Sequence, residues 1–397
     1  MQQNTEKTVA VVTGSRAEYG LLRPVLRKLA ASPLCLKLVV TGAHLSESYG
    51  NTVSEIEADG LPICARIPIL KFQDRKDPVP ETVAYTLVTF AEWFRKESPD
   101  LVLVLGDRYE IFAVAQAAAM TGVPIAHISG GDVTLGAADE YYRHCITKMA
   151  ALHFPSCQES AQRLVRMGEQ PERVFQVGGL GDENIRSMPK LTAAELTADL
   201  GFDLTVPFGL VTFHPETGIN CADPLDQMKA LLGALEEAHT ETGLRYLITK
   251  SNADQGGAAI NAVWDEWTAA HGEWAVAVTS LGVKRYLSAM SCAAAVIGNS
   301  SSGVVETPSF GVPTVNIGDR QNGRPICSNV LCVPAERKQI LEAVRTCMDP
   351  KFRKTAAGAV SPYYGPDPSG SIVRVLETWI ARPELREPKR FYDSKCD

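Results

Sequence analysis

Short apolar runs alternate with amphipathic stretches along the first part of the chain. The run TVAVVT (8–13) predicts a strand, and the stretch 17–31 after it predicts a helix. That helix carries its apolar residues on one face, at Leu21, Leu22, Val25, Leu26 and Leu29. Further strands are predicted at 35–42, 100–107, 124–131 and 151–156, and a long helix at 81–97. Apolar strands that are each followed by a helix indicate a parallel sheet covered on both faces.

The stretch GGLGDENIRSMPKL (178–191) interrupts this pattern. Its glycines, proline and charges are typical of a linker. Alternation then resumes, with strands predicted at 207–213, 244–250, 274–280, 292–299 and 313–318 and a final amphipathic helix at 371–381. The phrase GVPIAHI (122–128) is echoed by GVPTVNI (311–317), with Gly at a helix end and Pro at a strand start in each. We therefore expect an α/β protein with two doubly wound domains.

Composition narrows the possible functions. The 397 residues are 45% hydrophobic and 21% charged, which is ordinary for a globular protein, and the net charge of −7 argues against a general nucleic-acid binder. No apolar run approaches the roughly 18 residues of a membrane span. The start MQQNTEKTVAVV lacks a basic n-region and a cleavage site. The ten cysteines show neither CxxC nor zinc spacing. We expect a cytoplasmic protein with no membrane or nucleic-acid partner and no bound metal.

Ligands of open α/β sheets bind beyond the carboxyl ends of the strands, and one such end reads GNSSSGVVE (298–306). If a helix starts around Ser301–Gly303, its first N–H groups and the hydroxyls of Ser300 and Ser301 suit a pyrophosphate. Gly303 would allow close backbone approach, and Glu306 would accept hydrogen bonds from ribose hydroxyls. The alternative is ordinary helix capping by serine.

Arginines near two other strand ends also suit phosphate. Arg320 and Arg324 follow the strand after the serine-rich segment, and Arg16 lies in the first strand-to-helix turn. Each of them also has a plain alternative as a solvated surface residue.

Acids and histidines gather at the remaining strand ends. LGDRYE (105–110) places Asp107 and Arg108 after an apolar strand, although Asp107 also suits a helix cap. The segment 127–144 adds a larger set, and TFHPET (212–217) adds His214. The candidates in that segment are His127, Asp132, Asp139, Glu140, Arg143 and His144. Asp139 and Arg143 also fit an exposed i,i+4 ion pair of little energetic worth. Taken together, the groups suit proton abstraction from a sugar carbon beside a leaving phosphate.

Five motifs in order resemble the hydrolysing UDP-N-acetylglucosamine (UDP-GlcNAc) 2-epimerases of sialic-acid biosynthesis, the NeuC-like enzymes. They are TGSRAEYG, LGDRYE, HISGGDVTLGAADEYYRHCITKMAALHF, FHPET and GNSSSGVVETPSFGVPTVNIGDRQNGR, and the likeness runs from about residue 8 to about residue 332. The resemblance implies a GT-B-like fold, with two Rossmann-like domains (1–183 and 184–370), the active site in the cleft between them, and a C-terminal helix (371–397) packed on the first domain. It also implies elimination of UDP to give 2-acetamidoglucal, addition of water to release N-acetylmannosamine, and no metal or cofactor.

The same match implies roles for particular residues. Those that would contact the nucleotide sugar are Arg16, Arg108, His127, Glu140, Arg143, Asn252, Ser300, Ser301, Gly303, Glu306 and Arg320. Asp107, Asp139 and His214 fall at the family's catalytic positions. Related epimerases often carry Glu where Ser129 stands here, and Asp132 is then expected to replace that carboxylate.

Three alternatives stay open at this point. A related hydrolase would act on GDP-GlcNAc or on a UDP-diacetamido sugar of legionaminic-type pathways. A GT-B glycosyltransferase would bind the phosphates without needing so many acids, and a nucleotide-sugar sensor would need no catalysis. The resemblance further suggests a homodimer or homotetramer.

Overall fold

The computed structural model describes residues 7–47, 50–72, 74–75, 78–133, 139–215, 223–251 and 257–393. The chain divides into two units, of which the first comprises residues 1–184 and 365–397 and the second residues 185–364. In the described ranges, no helix is both long enough and apolar enough to cross a bilayer.

The first unit is built on a six-stranded sheet. Its strands are β1 (Thr8–Thr13), β2 (Cys35–Thr41), β3 (Ile63–Ile67), β4 (Leu101–Leu105), β5 (Ile125–Ile128) and β6 (Leu152–Phe154). Its helices up to residue 187 are α1 (Arg16–Ala30), α2 (Val53–Ala58), α3 (Val79–Glu97), α4 (Tyr109–Thr121), α5 (Asp139–Met149), α6 (Gln158–Arg166) and α7 (Leu180–Ser187), the last of which spans the division between the units. All strand pairs are parallel and the order is β3-β2-β1-β4-β5-β6. The strand order therefore reverses between β1 and β4, where ligands of such sheets bind.

The second unit repeats this topology. Its strands are β7 (Phe208–Thr212), β8 (Arg245–Thr249), β9 (Ala275–Val278), β10 (Ala295–Gly298), β11 (Thr314–Ile317) and β12 (Val330–Val333). Its helices are α8 (Ala193–Leu200), α9 (Pro224–Thr242), α10 (Gly257–Ala270), α11 (Gly282–Cys292), α12 (Ser302–Val305), α13 (Thr307–Phe310), α14 (Arg337–Met348) and α15 (Pro350–Ala357). The parallel order is β9-β8-β7-β10-β11-β12, so the reversal lies between β7 and β10.

The chain returns to the first unit through α16 (Pro368–Trp379). Leu376 and Trp379 of this helix belong to the same apolar core as Leu22 and Leu26 of α1. At the start of α1, the Ser15 side chain accepts a hydrogen bond from the Glu18 N–H, which caps the helix. The first core therefore contains residues from both ends of the chain.

The predicted fold class is confirmed, and every strand predicted from the apolar runs is present. The stretch 178–191, whose composition is typical of a linker, forms a helix over Leu180–Ser187, which is α7. Leu180 and Ile185 are buried, and the Lys28 ammonium pairs with the Glu183 carboxylate at 3.2 Å, so the helix is anchored despite its glycines. The division between the units falls inside this helix, between Asn184 and Ile185.

Candidate functional site

In the first unit, a buried arginine on α5 bonds to the loops that follow β4 and β5 and to a neighbouring acid on α5 itself. Arg143 on α5 is only 3% exposed, and its guanidinium pairs with the Asp107 carboxylate just beyond β4. Its Nη1 also donates to Glu140 Oε2 and to the Asp132 backbone carbonyl, both at 2.9 Å. Because Arg143 is buried and bonded to several partners, it stabilises this part of the structure more than an exposed surface ion pair would.

Asp132 is oriented by two serines. One of its carboxylate oxygens accepts the Ser156 hydroxyl at 2.8 Å and the Ser160 hydroxyl at 2.7 Å. The preceding turn is tight, since Ser129 has a φ of 62° and Gly131 has a φ of 81°. A side chain on Gly131 would also collide with the Ser160 carbonyl. This backbone therefore needs glycine at 131 and holds Asp132 at a fixed place beside β5.

Asp139 and Arg108 follow the same two strands as the residues bonded to Arg143. Asp139 is the first residue of α5 and is exposed, yet the surrounding protein raises the pKa of its carboxyl group, partly offset by the Arg108 cation. The Arg108 Nε donates to Glu110 Oε1 at 2.5 Å. A carboxyl group with a raised pKa holds a proton closer to neutral pH, which suits an acid catalyst.

His127 has a supporting place, and its side chain has no exposed surface. Its Nε2 is 2.8 Å from the Gly106 carbonyl, and its Nδ1 is 3.4 Å from the Thr147 hydroxyl. Burial lowers the pKa of the ring to about 3, so it is neutral and donates to Gly106. The sequence suggested a substrate contact here, whereas the buried ring fixes the turn that precedes Asp107.

Sequence reasoning missed a pair of buried acids at the β1/β4 reversal. Glu18 is 5% exposed and Glu110 is 1% exposed. Oε2 of Glu18 accepts the Gly14 N–H at 2.9 Å, and burial together with the Glu110 charge raises the pKa of Glu18 to about 8. Each acid lies in the first turn of the helix that follows an apolar strand, in TGSRAEYG and LGDRYE, and this position was the available sequence signal. Arg16 is exposed, with its Nε 3.7 Å from Glu55 Oε1.

In the second unit, a buried asparagine joins the two central strands at their carboxyl ends. Oδ1 of Asn299 accepts the His214 N–H at 2.7 Å, and Nδ2 donates to the His214 carbonyl at 2.8 Å. The His214 Nδ1 is 3.0 Å from the Ser251 hydroxyl. Asn299 thus fixes the backbone of His214, and Ser251 orients its ring. Asn252, the weaker sequence match, lies outside the described residues.

The serine-rich segment does not cap a helix in the ordinary way. Ser301 precedes the short α12 and makes no side-chain capping bond. The Ser300 and Ser302 hydroxyls are instead 2.9 Å apart, and the Ser302 hydroxyl is 2.6 Å from that of Tyr286. Gly303 is buried, and a Cβ there would contact Thr314, so its bare side faces the sheet rather than a ligand.

Glu306 and the loop after β11 complete this end of the second sheet. Glu306 joins α12 to α13, and burial raises the pKa of its carboxyl group to about 7. Arg320 is exposed, and its Nη1 donates to the Asn299 carbonyl at 3.2 Å. Gln321 donates to the same carbonyl at 2.9 Å. Asn299 therefore links the loops that carry His214, Ser300 and Arg320.

The first unit offers carboxyls and arginines at its strand ends, which suit acid–base chemistry, and the second offers hydroxyls, a carboxyl, an arginine and a histidine, which suit an anionic ligand. In the part of the chain that the structure covers, no group of three or more His, Cys, Asp or Glu side chains is placed to hold a metal ion.

Two Rossmann-like units in one chain, each with the strand order 3-2-1-4-5-6, define a GT-B-like α/β protein. Sequence comparison narrows this class. A profile of the UDP-N-acetylglucosamine 2-epimerase family matches residues 27–377. The polysialic acid biosynthesis protein P7 of Escherichia coli is 35% identical over 393 residues, which are 98% of this chain and 97% of that protein. The GDP/UDP-N,N'-diacetylbacillosamine 2-epimerase (hydrolyzing) of Campylobacter jejuni is 37% identical over 328 residues, which are 82% of this chain and 84% of that protein.

The fold has a close counterpart among solved structures. The UDP-GlcNAc 2-epimerase of Neisseria meningitidis, solved with bound UDP-GlcNAc, matches with a TM-score of 0.75 at 19% identity. The match covers 94% of this chain and 100% of that chain. The chain therefore belongs to the UDP-N-acetylglucosamine 2-epimerase family, as the sequence motifs predicted, and is a nucleotide-sugar 2-epimerase.

Proposed function

We propose that this chain is a hydrolysing 2-epimerase that converts UDP-GlcNAc to N-acetylmannosamine and UDP. The observation that carries the proposal is the bonding of Arg143, whose guanidinium pairs with the Asp107 and Glu140 carboxylates and donates to the Asp132 backbone carbonyl beyond β4 and β5. Abstraction of a weakly acidic C2 proton needs a positioned base, and departure of UDP benefits from a nearby acid. The family membership supplies the substrate class on which such groups act.

The nucleotide is assigned mainly to the second unit. Ser300 and Ser301 supply hydroxyl donors for the diphosphate, and Arg320 adds a cation. Glu306 accepts hydrogen bonds from ribose hydroxyls, which favour its ionised form. Arg16 and Arg108 of the first unit are assigned to the same substrate. Their roles rest on the match to the family motifs.

The reaction has two stages in this proposal. A base removes the C2 proton, the C2–H electrons form the C1=C2 bond of 2-acetamidoglucal, and the C1–O electrons leave with UDP. Water then adds its hydroxyl at C1 and a proton at C2, on the face that gives the manno product. Asp132 is assigned as the base, because Ser129 carries no carboxylate and two serines orient Asp132. Asp139 is assigned as an acid, because of its raised pKa.

Asp107 and His214 divide the remaining proton transfers. Asp107 is paired with Arg143, which favours its ionised form, so it suits the role of base or charge stabiliser. His214 is held at both its backbone and its ring, and it suits proton transfer to the leaving group or from water.

The comparisons also favour a second candidate substrate. The Campylobacter jejuni relative, at 37% identity, is named for hydrolytic epimerisation of GDP- or UDP-linked N,N'-diacetylbacillosamine. The same acids would serve that reaction, since the two sugars differ in groups away from C1 and C2. A glycosyltransferase or a sensor is disfavoured, since neither needs the group of acids around Arg143.

The substrate is tested by incubating the protein separately with UDP-GlcNAc, GDP-GlcNAc and UDP-N,N'-diacetylbacillosamine. Proton and phosphorus NMR would follow the free sugar and the free nucleotide. We expect the fastest release from UDP-GlcNAc, with N-acetylmannosamine and UDP as products. Faster release from the diacetamido sugar would make it the substrate, and no release from any of the three would remove the proposed function. A parallel assay in EDTA is expected to show unchanged turnover.

The mechanism is tested with isotopes and one variant. In D₂O the sugar product should carry deuterium at C2, and in H₂¹⁸O the released UDP should stay unlabelled. Asp132→Asn should lower turnover about 10²-fold or more while UDP affinity is retained. A C2 position that keeps its original proton would exclude elimination. Full activity of Asp132→Asn would move the base to Asp107 or Asp139.

A further inference from the structure

Five hydroxyl groups of the second unit form one continuous chain from the sheet to the serine-rich segment. The Thr249 and Thr212 hydroxyls, at the ends of β8 and β7, are 2.5 Å apart. The Tyr286 hydroxyl on α11 lies 2.6 Å from the Ser302 hydroxyl and 3.5 Å from that of Thr212, so its contact with Thr212 is the weakest in the series. Ser302 in turn is 2.9 Å from Ser300. Tyr286 is therefore the link between the strand threonines and the serines.

The hydrogen bonds along this row of hydroxyls can all donate toward the sheet or all donate toward Ser300. Each hydroxyl carries one proton and can also accept, so five hydroxyls joined by four hydrogen bonds leave one proton over at an end. At the sheet end, the acceptor is the Val211 carbonyl, 3.5 Å from the Thr249 hydroxyl, which is a long and weak contact. At the other end stands Ser300. An anion beside Ser300 would be a much stronger acceptor than that carbonyl.

We propose that Tyr286 is a positioning residue that turns the serine hydroxyls toward the diphosphate of the bound nucleotide. With the anion in place, Ser300 donates to it, Ser302 donates to Ser300, and Tyr286 donates to Ser302. In the same direction, Thr212 donates to the Tyr286 phenol and Thr249 donates to Thr212. Hydrogen bonds aligned in this way polarise one another and strengthen the terminal bond to the ligand. The inference rests on the proposed nucleotide site.

The surroundings of Tyr286 suit this role. Burial raises the pKa of the phenol and outweighs the hydrogen bonds from Ser302, Thr212 and Ser300, which lower it. The group therefore stays neutral and keeps a proton to donate. A phenylalanine would fill the same space but would cut the chain in the middle, leaving Ser300 and Ser302 without the donor behind them.

The test compares Tyr286→Phe with Tyr246→Phe by calorimetric titration with UDP. Tyr246 is a matched control, because it is a buried tyrosine of the same unit whose hydroxyl donates to the Leu235 carbonyl at 2.9 Å. We expect Tyr286→Phe to raise the Kd for UDP about fivefold, the effect of one neutral hydrogen bond, and Tyr246→Phe to leave it unchanged. The Kd for uridine, which lacks phosphate, should not change in either variant.

A second variant that interrupts the row of hydroxyls keeps the test independent of how Tyr286→Phe folds. Thr212→Val removes the hydroxyl at nearly constant volume and should also raise the Kd for UDP, by less than fivefold because the 3.5 Å contact between Thr212 and Tyr286 is weak, whereas Thr212→Ser should keep the wild-type Kd. Wild-type UDP affinity in both Tyr286→Phe and Thr212→Val would overturn the inference alone. A wild-type protein that does not bind UDP would overturn the proposed function and this inference with it.

Discussion

Burial raises the pKa of Glu18, in the first turn of α1, to about 8 and that of Glu306, between α12 and α13, to about 7. The two groups differ in what a ligand would do to them. Ribose hydroxyls at Glu306 would donate to its ionised form, so we expect nucleotide binding to lower its pKa. Glu18 bonds instead to Gly14 within its own turn, and Glu110 opposes its ionisation.

The first prediction concerns Glu18. Between about pH 4.5 and about pH 8 the folded chain holds a proton on Glu18 that the unfolded chain releases, so stability falls as the pH rises through this window. Glu18→Gln keeps an acceptor for the Gly14 N–H and removes the buried charge. We expect the variant to be more stable than wild type at about pH 8, by up to about 4 kcal/mol, and so to unfold at a higher temperature, with little difference at about pH 5.

Thermal unfolding followed by circular dichroism at the two pH values measures this effect. Glu92→Gln, on the exposed face of α3, is the control and should change neither value. An identical pH dependence in Glu18→Gln and wild type would mean that Glu18 is already ionised in the folded protein.

At the same scale, the motifs pointed to candidate residues but not to how the structure pairs them. Asp107 and Arg143 are 36 positions apart, and only the fold brings the carboxylate to the guanidinium. Glu18, Glu110 and Tyr286 were missed, because an acid or a phenol inside a helix pattern looks like a solvated or core residue. Their burial follows from neighbouring strands that the local sequence does not describe.

Among the elements, ten of the twelve strands that the structure describes were predicted, including the edge strands β6 and β9, whereas the edge strands β3 and β12 were not. β3 was missed because Arg66 interrupts its apolar run, and β12 because its apolar run VLCV is only four residues long. The two similar GVP segments precede β5 and β11, which occupy the same position in the two sheets. Gly122 and Gly311 each end a helix with positive φ, as predicted.

The second prediction concerns the link between β7 and β10. Asn299→Ala removes both side-chain bonds to the His214 backbone, which should lower stability by about 2 kcal/mol and also lower turnover, because the ring is released from its place. Asn329→Ala is the matched control. Asn329 is also fully buried in this unit, but it donates to Thr307 and Val312.

Chemical denaturation and steady-state kinetics separate the two effects. Both variants should lose similar stability, and only Asn299→Ala should lose activity beyond the loss of folded protein. Equal turnover per folded molecule in the two variants would mean that the Asn299 bonds do not position His214.

On the scale of the whole molecule, the chain forms two compact units, each with its own apolar core. The third prediction is that their stabilities respond separately to core truncation. Leu376→Ala in α16 should destabilise the first unit by about 2–5 kcal/mol, and Leu235→Ala in α9 should do the same to the second.

Hydrogen exchange measured by mass spectrometry reports this unit by unit. Leu376→Ala should speed exchange in residues 7–184 and leave 185–364 protected, and Leu235→Ala should reverse the pattern. Faster exchange throughout the chain in both variants would show that the two units unfold as one.

The placement of α16 also bears on the order of events during synthesis. The second unit is one uninterrupted segment, so every residue it needs exists once residue 364 has been made. The first unit must wait for α16, because Ile372, Leu376 and Trp379 belong to its core. Domains usually mature in the order in which they leave the ribosome. In this protein the amino-terminal unit is therefore the last to complete its core. During synthesis, the exposed apolar surface that a chaperone could bind lies on that unit, which was synthesised first.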